Sequence, residues 1–336
     1  MHFSAAAISA ILATSVIAHP GHDVRQEIAE RASFVSQLKT RDLSHCSAKL
    51  KARGLEQAAV ARRSAIAKSE RKKRGISSEQ PYLKARDEAT VLNTTHLSTV
   101  DYDATTDESV VFSGNNSCIL SPEVTQGPYY VSGEYVRTDI VEEQEGVDLI
   151  LDTQVIDMST CDPVTNAFVE IWHCNSTGVY SGIVASTNGN ATFLRGLQPT
   201  DSEGVAQFQT LFPGHYTSRS NHIHVLVHFN GTTYENGTYG GGVISHVGQM
   251  FFDQDLITQV EAVSPYSTNT QSTTLNSEDS VLVDEAASSD PMINYSLLGE
   301  TVADGIFGWL AFGVDVSKSY NVKPAASLYS SGGVEN

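Results

Sequence analysis

Residues 212–229, FPGHYTSRSNHIHVLVHF, set three histidines on alternating positions of an apolar run, with Tyr216 and Arg219 just ahead of them. Read as a strand, the run sends Asn221, Ile223, Val225, Val227 and Phe229 to one face and His222, His224, Leu226 and His228 to the other. The first face suits a core. The second places two imidazoles about 6.6 Å apart along the backbone, a spacing that lets both converge on one metal ion. His228 lies a further ~13 Å along the strand, beyond reach of the same ion. The bland alternative is a set of hydrogen-bonded histidines on a half-wet face. Arg219 adds weight to the metal reading, because only Arg137 and Arg195 share its charge between residues 87 and 317. A scarce cation beside a cationic site costs energy unless an anion is held there.

The elements that must position these residues are β-strands. From about residue 87, runs of Val, Ile, Thr, Phe and Tyr alternate with Gly, Asn, Asp and Pro clusters, which predicts a mainly β chain, sandwich or barrel. A helix is expected near 249–263, and residues 317–336 read as a loose tail. The run VDLILDTQVIDMSTC, the turn DPVTNA and the run FVEIWHC read as a hairpin. In that register Cys161 sits at the turn and Cys174 at the open end, too far apart to bond. Cys118 is therefore expected to pair with Cys161 or Cys174. On the second hairpin strand Phe168 and Trp172 read as core. Glu170 shares their face, either partnered or close to the site. His246 reads as a surface histidine.

The charge divides sharply. Residues 1–75 carry 14 Lys+Arg against 6 Asp+Glu, whereas residues 76–336 carry 7 against 33. Residues 24–74 lack proline and are rich in Ala, Glu, Lys, Arg, Leu and Gln, so residues 19–86 are expected to form a basic helical segment. Its end, KSERKKRG, reads either as a solvated helix end or as a processing site that releases a pro-segment. The same segment could instead pair two chains into a homodimer. An acidic main domain argues against nucleic acid as a partner. Residues 4–17 form an apolar stretch with small residues, and Val16-Ile17-Ala18 fits a signal-peptidase site, which predicts a signal peptide over 1–18. No later run is long enough for a membrane span. Sequons at Asn93, Asn115, Asn175, Asn190, Asn230, Asn236 and Asn294 agree with a secreted glycoprotein.

Three further motifs complete the pattern. VEIWHCNSTGVYS (169–181), FLRGLQPTDSEGVAQFQTLFPGHY (193–216) and RSNHIHV (219–225) occur in an order and spacing that resembles the intradiol ring-cleavage dioxygenases, the catechol and protocatechuate dioxygenase family, most of all its secreted fungal-type members. TQGPYYV (125–131) and GQMFFD (248–253) extend the resemblance over about residues 118–255. It implies a β-sandwich catalytic core over 87–316 holding one mononuclear non-haem Fe(III). Tyr180 matches the family's equatorial tyrosinate and Tyr216 the axial tyrosinate that leaves when substrate binds. His222 and His224 match the axial and equatorial histidines. Arg219 matches the arginine beside the substrate, and Gln249 a glutamine behind it, although the segment 230–248 differs in length from the family pattern. Tyr129 and Tyr130 fall near the pocket mouth, where packing is an equal reading. The implied substrates are a small aromatic diol and O2, with Tyr216 and Arg219 as catalytic groups. Phenolates are hard anionic donors that favour ferric iron, and neutral imidazoles complete the set without excess charge. The competing reading is a secreted β-sandwich binding module that keeps the fold without the reaction. A zinc hydrolase would need a His/carboxylate site, and no such pattern is present.

Overall fold

The computed structural model describes residues 43–82, 106, 108–112, 117–118, 129–182, 190–286, 289–329 and 332–335. The expected signal peptide and the sequons at Asn93 and Asn115 lie outside these residues. The strands are β1 (Ser117–Cys118), β2 (Val131–Ser132), β3 (Asp148–Asp157), β4 (Ala167–Trp172), β5 (Arg195–Pro199), β6 (Val205–Leu211), β7 (His222–Phe229), β8 (Thr232–Thr233), β9 (Tyr239–Gly240), β10 (Val243–Phe251), β11 (Asn294–Leu297), β12 (Ile306–Val314), β13 (Ala326–Tyr329) and β14 (Gly332–Glu335). One main sheet runs β1-β12-β3-β6, with β11 also on β12; a second runs β10-β7-β4-β5, and β14-β13-β2 and β8-β9 form two small ones.

The two sheets close a sandwich because each turns one apolar row inward. Leu149, Leu151 and Val155 of β3, Phe208 of β6 and Leu310 and Phe312 of β12 meet Val169 and Ile171 of β4, Ile223, Val225 and Val227 of β7 and Met250 of β10. The alternation expected for 222–229 is what the core uses. On the outer face of the five-stranded sheet, Ile150, Phe307 and Trp309 pack under Ala67 of the helix Leu55–Lys73. The outer face of the four-stranded sheet carries His222, His224, Leu226, His228 and Trp172, and the candidate site is built there.

Two expectations fail together. β3 and β4 do not form a hairpin. The turn closes as expected, with Asp157 N–H bonded to Asp162 O and an isolated bridge between Ile156 and Pro163. Proline has no N–H to extend the ladder, and the chain then crosses to the opposite sheet. β3 pairs instead with β12 and β6, and β4 with β5 and β7. Cys161, at the turn, is bonded to Cys46 rather than to Cys118 or Cys174. Cys174 is a buried free thiol.

That disulfide ties the basic N-terminal segment to the acidic sandwich, and charge does the rest. Arg62 clamps Asp152 of β3 through Nε and Nη2 at 2.9 and 3.1 Å, and Arg63 stands 3.6 Å from the same carboxylate. Asp152 and Arg63 are both fully buried. The basic cluster is a helix end, but only part of it is solvated. Gly75 adopts φ +70, its N–H bonds Lys72 O, and Ile76 N–H bonds Arg71 O, a Schellman close. Arg71 is buried: its guanidinium bonds the carbonyls of Leu298, Gln80 and Pro81 and lies over the Tyr82 ring.

Elsewhere, the region expected as one helix over 249–263 is split into the end of β10 and the helix Gln254–Glu261. Residues beyond 317 carry β13 and β14, with β13 paired to β2, so this tail is docked rather than loose. The sequon at Asn294 is buried in β11. Among the described residues no helix is long and apolar enough to cross a membrane.

Candidate metal centre

β7 starts at His222, and its pleat delivers His222 and His224 to the outer face. Their Nε2 atoms are 3.2 Å apart. Ser220 O accepts a hydrogen bond from His222 Nδ1 at 2.6 Å, which fixes the proton on Nδ1 and leaves the Nε2 lone pair facing the site. Tyr216 closes the approach. Its hydroxyl is 3.2 Å from His222 Nε2, and the backbone pairing of Tyr216 with Arg219 holds the intervening loop. Tyr180 arrives from the segment after β4. Its ring centroid is 5.7 Å from Tyr216 and 6.2 Å from His224. Both tyrosines and both histidines are buried.

In this setting Tyr180, Tyr216 and His222 are held in their neutral forms. Burial, then the neighbouring Tyr216, holds the Tyr180 phenol well above its usual range. Burial raises Tyr216 as well, with Arg219 pulling the other way. Burial, Arg219 and His224 together keep His222 neutral, far below the usual imidazole value. Among the described residues the buried Tyr180 hydroxyl, which faces Tyr216, has no hydrogen-bond partner of good geometry, an arrangement that costs about 1–3 kcal/mol unless something satisfies it. A hard, highly charged cation satisfies every term at once: it favours phenolate over phenol and takes the imidazole lone pairs. Two tyrosines and two histidines thus fit a ferric ion.

Arg219 is buried beside this group. Its Nη2 donates to Gln249 Oε1, and Gln249 Nε2 lies 3.5 Å from His224 Nδ1. Gln249 sits opposite His224 in the β10–β7 register, so the structure brings it into the site despite the unusual length of 230–248. His228 does not join. Its Nε2 lies 2.6 Å from Glu170 Oε2, which answers both what His228 does and who partners Glu170.

Aromatic rings wall the site. Trp172, expected as core, is buried and also stacks on His224. Tyr129 stacks on Tyr180 at 4.4 Å and meets Tyr216 edge-on, while Tyr130 packs against Trp172. His246 is not a surface residue. A register shift in β10 turns it inward against Phe312 of the opposite sheet. The reading of the sequence missed Asp279, which bonds Arg219 from 60 residues away. An acidic residue before an apolar helical run marks a helix cap in sequence, but nothing there reveals a second partner.

Comparison with known proteins bears on this geometry. A family profile described as Dioxygenase matches residues 125–259, which contain every one of the four donors, Arg219 and Gln249. The solved intradiol ring-cleavage dioxygenase from Tetranychus urticae is 30% identical, superposes with a TM-score of 0.52, and is matched over 98% of its length by 61% of this chain. This chain belongs to the intradiol ring-cleavage dioxygenases. Among curated members of that family, catechol 1,2-dioxygenase of Acinetobacter baylyi is 34% identical over 101 residues, 29% of this chain and 32% of the relative. Catechol 1,2-dioxygenase of Candida albicans is 33% identical over 115 residues, 34% of this chain and 37% of the relative. The intradiol dioxygenase chain described here thus matches about a third of the length of those curated enzymes.

Proposed function

We propose that this chain is an extracellular dioxygenase that opens catechol-type rings between the two hydroxyl-bearing carbons, using one ferric ion held by Tyr180, Tyr216, His222 and His224. The observation that carries this reading is the convergence of two phenols and two imidazoles, all buried, beside a buried arginine. When bound, the ferric ion supplies Lewis acidity and accepts electron density from the diol, which makes the ring reactive toward O2. The protein's own groups do the rest. Tyr216, whose hydroxyl faces His222 Nε2, is placed to accept a catechol proton. Arg219, steadied by Gln249, stabilises negative charge that develops on the substrate. Trp172, Tyr129 and Tyr130 keep the walls apolar, which strengthens both interactions. Catechol and O2 then combine, with no other reductant, into an acyclic dicarboxylic muconate.

The extracellular part of the proposal is supported by the apolar start of the chain, the exposed sequons at Asn190, Asn230 and Asn236 and the Cys46–Cys161 disulfide, a bond typical of oxidising compartments. The test is oxygen uptake by iron-loaded protein on catechol, protocatechuate and hydroxyquinol, with the product identified. Muconate-type products support the proposal. Cleavage beside the hydroxyls to a semialdehyde, or no uptake on any of these diols, overturns it.

A further inference from the structure

Asp279 lies beyond residue 259, where the family match ends, and yet it reaches the site. Its carboxylate is fully buried and uses both oxygens. Oδ2 accepts from Arg219 Nε at 2.9 Å and from the Ser220 N–H at 2.8 Å. Oδ1 accepts from the N–H groups of Val281 and Leu282, at 2.9 and 3.2 Å, and so caps the helix Ser280–Ala286. A buried carboxylate is costly unless compensated; here a guanidinium and a helix N-terminus share the compensation. Ser220, which Asp279 grips at its N–H, offers its own carbonyl to His222 Nδ1. Asn276 reinforces the hold, since it accepts from the Ser220 hydroxyl and bonds Phe252 O through Nδ2.

We infer that Asp279 is a positioning residue: it orients Arg219 toward the substrate and, through Ser220, sets the imidazole of His222. Asp279 holds Arg219 at Nε while Gln249 holds it at Nη2, so the two contacts grip the guanidinium at two of its nitrogens. The role in turnover rests on the proposed ring cleavage; the hold on Arg219 does not.

The test separates helix capping from positioning. In Asp279→Ser the hydroxyl still caps the helix but cannot also reach Arg219. In Asp279→Asn the single carbonyl oxygen must serve one partner or the other. Iron-loaded wild type and both variants are compared for iron content, visible spectrum, kcat and KM on catechol. Nitrogen-15 spectra of the metal-free proteins follow the Arg219 Nε–H, assigned with Arg219→Lys. The expected result is a kcat about 10–100-fold lower with iron retained, the usual effect of losing a partner that orients a site group, and faster water exchange at the Arg219 Nε–H. Unchanged kcat and exchange, with only a lower unfolding temperature, would make Asp279 a helix cap and overturn the inference. If wild type itself cleaves no diol, the proposed function fails, while the exchange rate still decides whether Asp279 holds Arg219.

Discussion

Trp172 lies flat on His224, with ring centroids 4.7 Å apart and planes 3° from parallel. The two residues are directly opposed in the β4–β7 register, so the stack is built into the sheet. It confines His224 to one orientation and seals that side of the site from water. Trp172→Ala removes a fully buried indole, and the expected loss is about 3–5 kcal/mol of folding stability. Urea unfolding of the metal-free protein measures it. A loss below ~1 kcal/mol would mean that the neighbouring rings close over the gap.

The join between the basic helical segment and the sandwich gives a second expectation. Asp152→Ala leaves Arg63 buried without its carboxylate and strips Arg62 of its bidentate partner. Breaking a buried pair from one side costs about 3–5 kcal/mol. Thermal and urea unfolding should both show a cost of that order, whereas Glu203→Ala, which removes only the half-exposed partner of Arg62, should cost ~1 kcal/mol or less.

Cys46 and Cys161 close a loop over a sequence separation of 115 residues. Replacing both by serine should lower stability by about 2–5 kcal/mol. Peptide mapping of the unreduced protein checks the pairing directly: a linked peptide containing Cys46 and Cys161 is expected, and a peptide linking Cys161 to Cys174 or Cys118 would contradict the fold at that turn.

Acid should destabilise the protein through histidines buried in neutral form. Burial drives His246 down to about 3 and, with a backbone bond to Cys174 opposing it, His173 to about 4. In the unfolded chain each binds a proton near pH 6.5. Their contribution to stability is therefore complete above pH 6.5 and is lost as pH falls toward those folded values, by ~1.4 kcal/mol per pH unit for each histidine. Unfolding midpoints from pH 7 to pH 4 should fall accordingly, and His246→Leu should flatten the slope. An unchanged slope in that variant would place His246 in contact with water.

What the sequence made legible was local. The alternation of 222–229 separates core residues from site residues because a strand's side chains take opposite faces, and Ile223, Val225 and Val227 do lie inside while His222 and His224 lie outside. What stayed hidden depends on contacts between distant segments. The turn at 158–162 announces a hairpin, yet β3 finds its partner in β12, more than 140 residues later, and Cys161 finds Cys46. His246 reads as polar surface until a register shift turns it inward. Asp279 carries a cap signal whose second half exists only in three dimensions.

The central claim is that Tyr180, Tyr216, His222 and His224 together hold ferric iron. It is tested most directly by the visible spectrum and iron content of the purified wild-type protein beside Tyr180→Phe. The wild type should bind about one iron per chain and be red from phenolate-to-iron charge transfer, and the variant, losing one anionic donor, should lose much of that absorption together with turnover. A wild-type protein that stays colourless and iron-free with iron supplied, or a Tyr180→Phe variant with unchanged colour and activity, would contradict it.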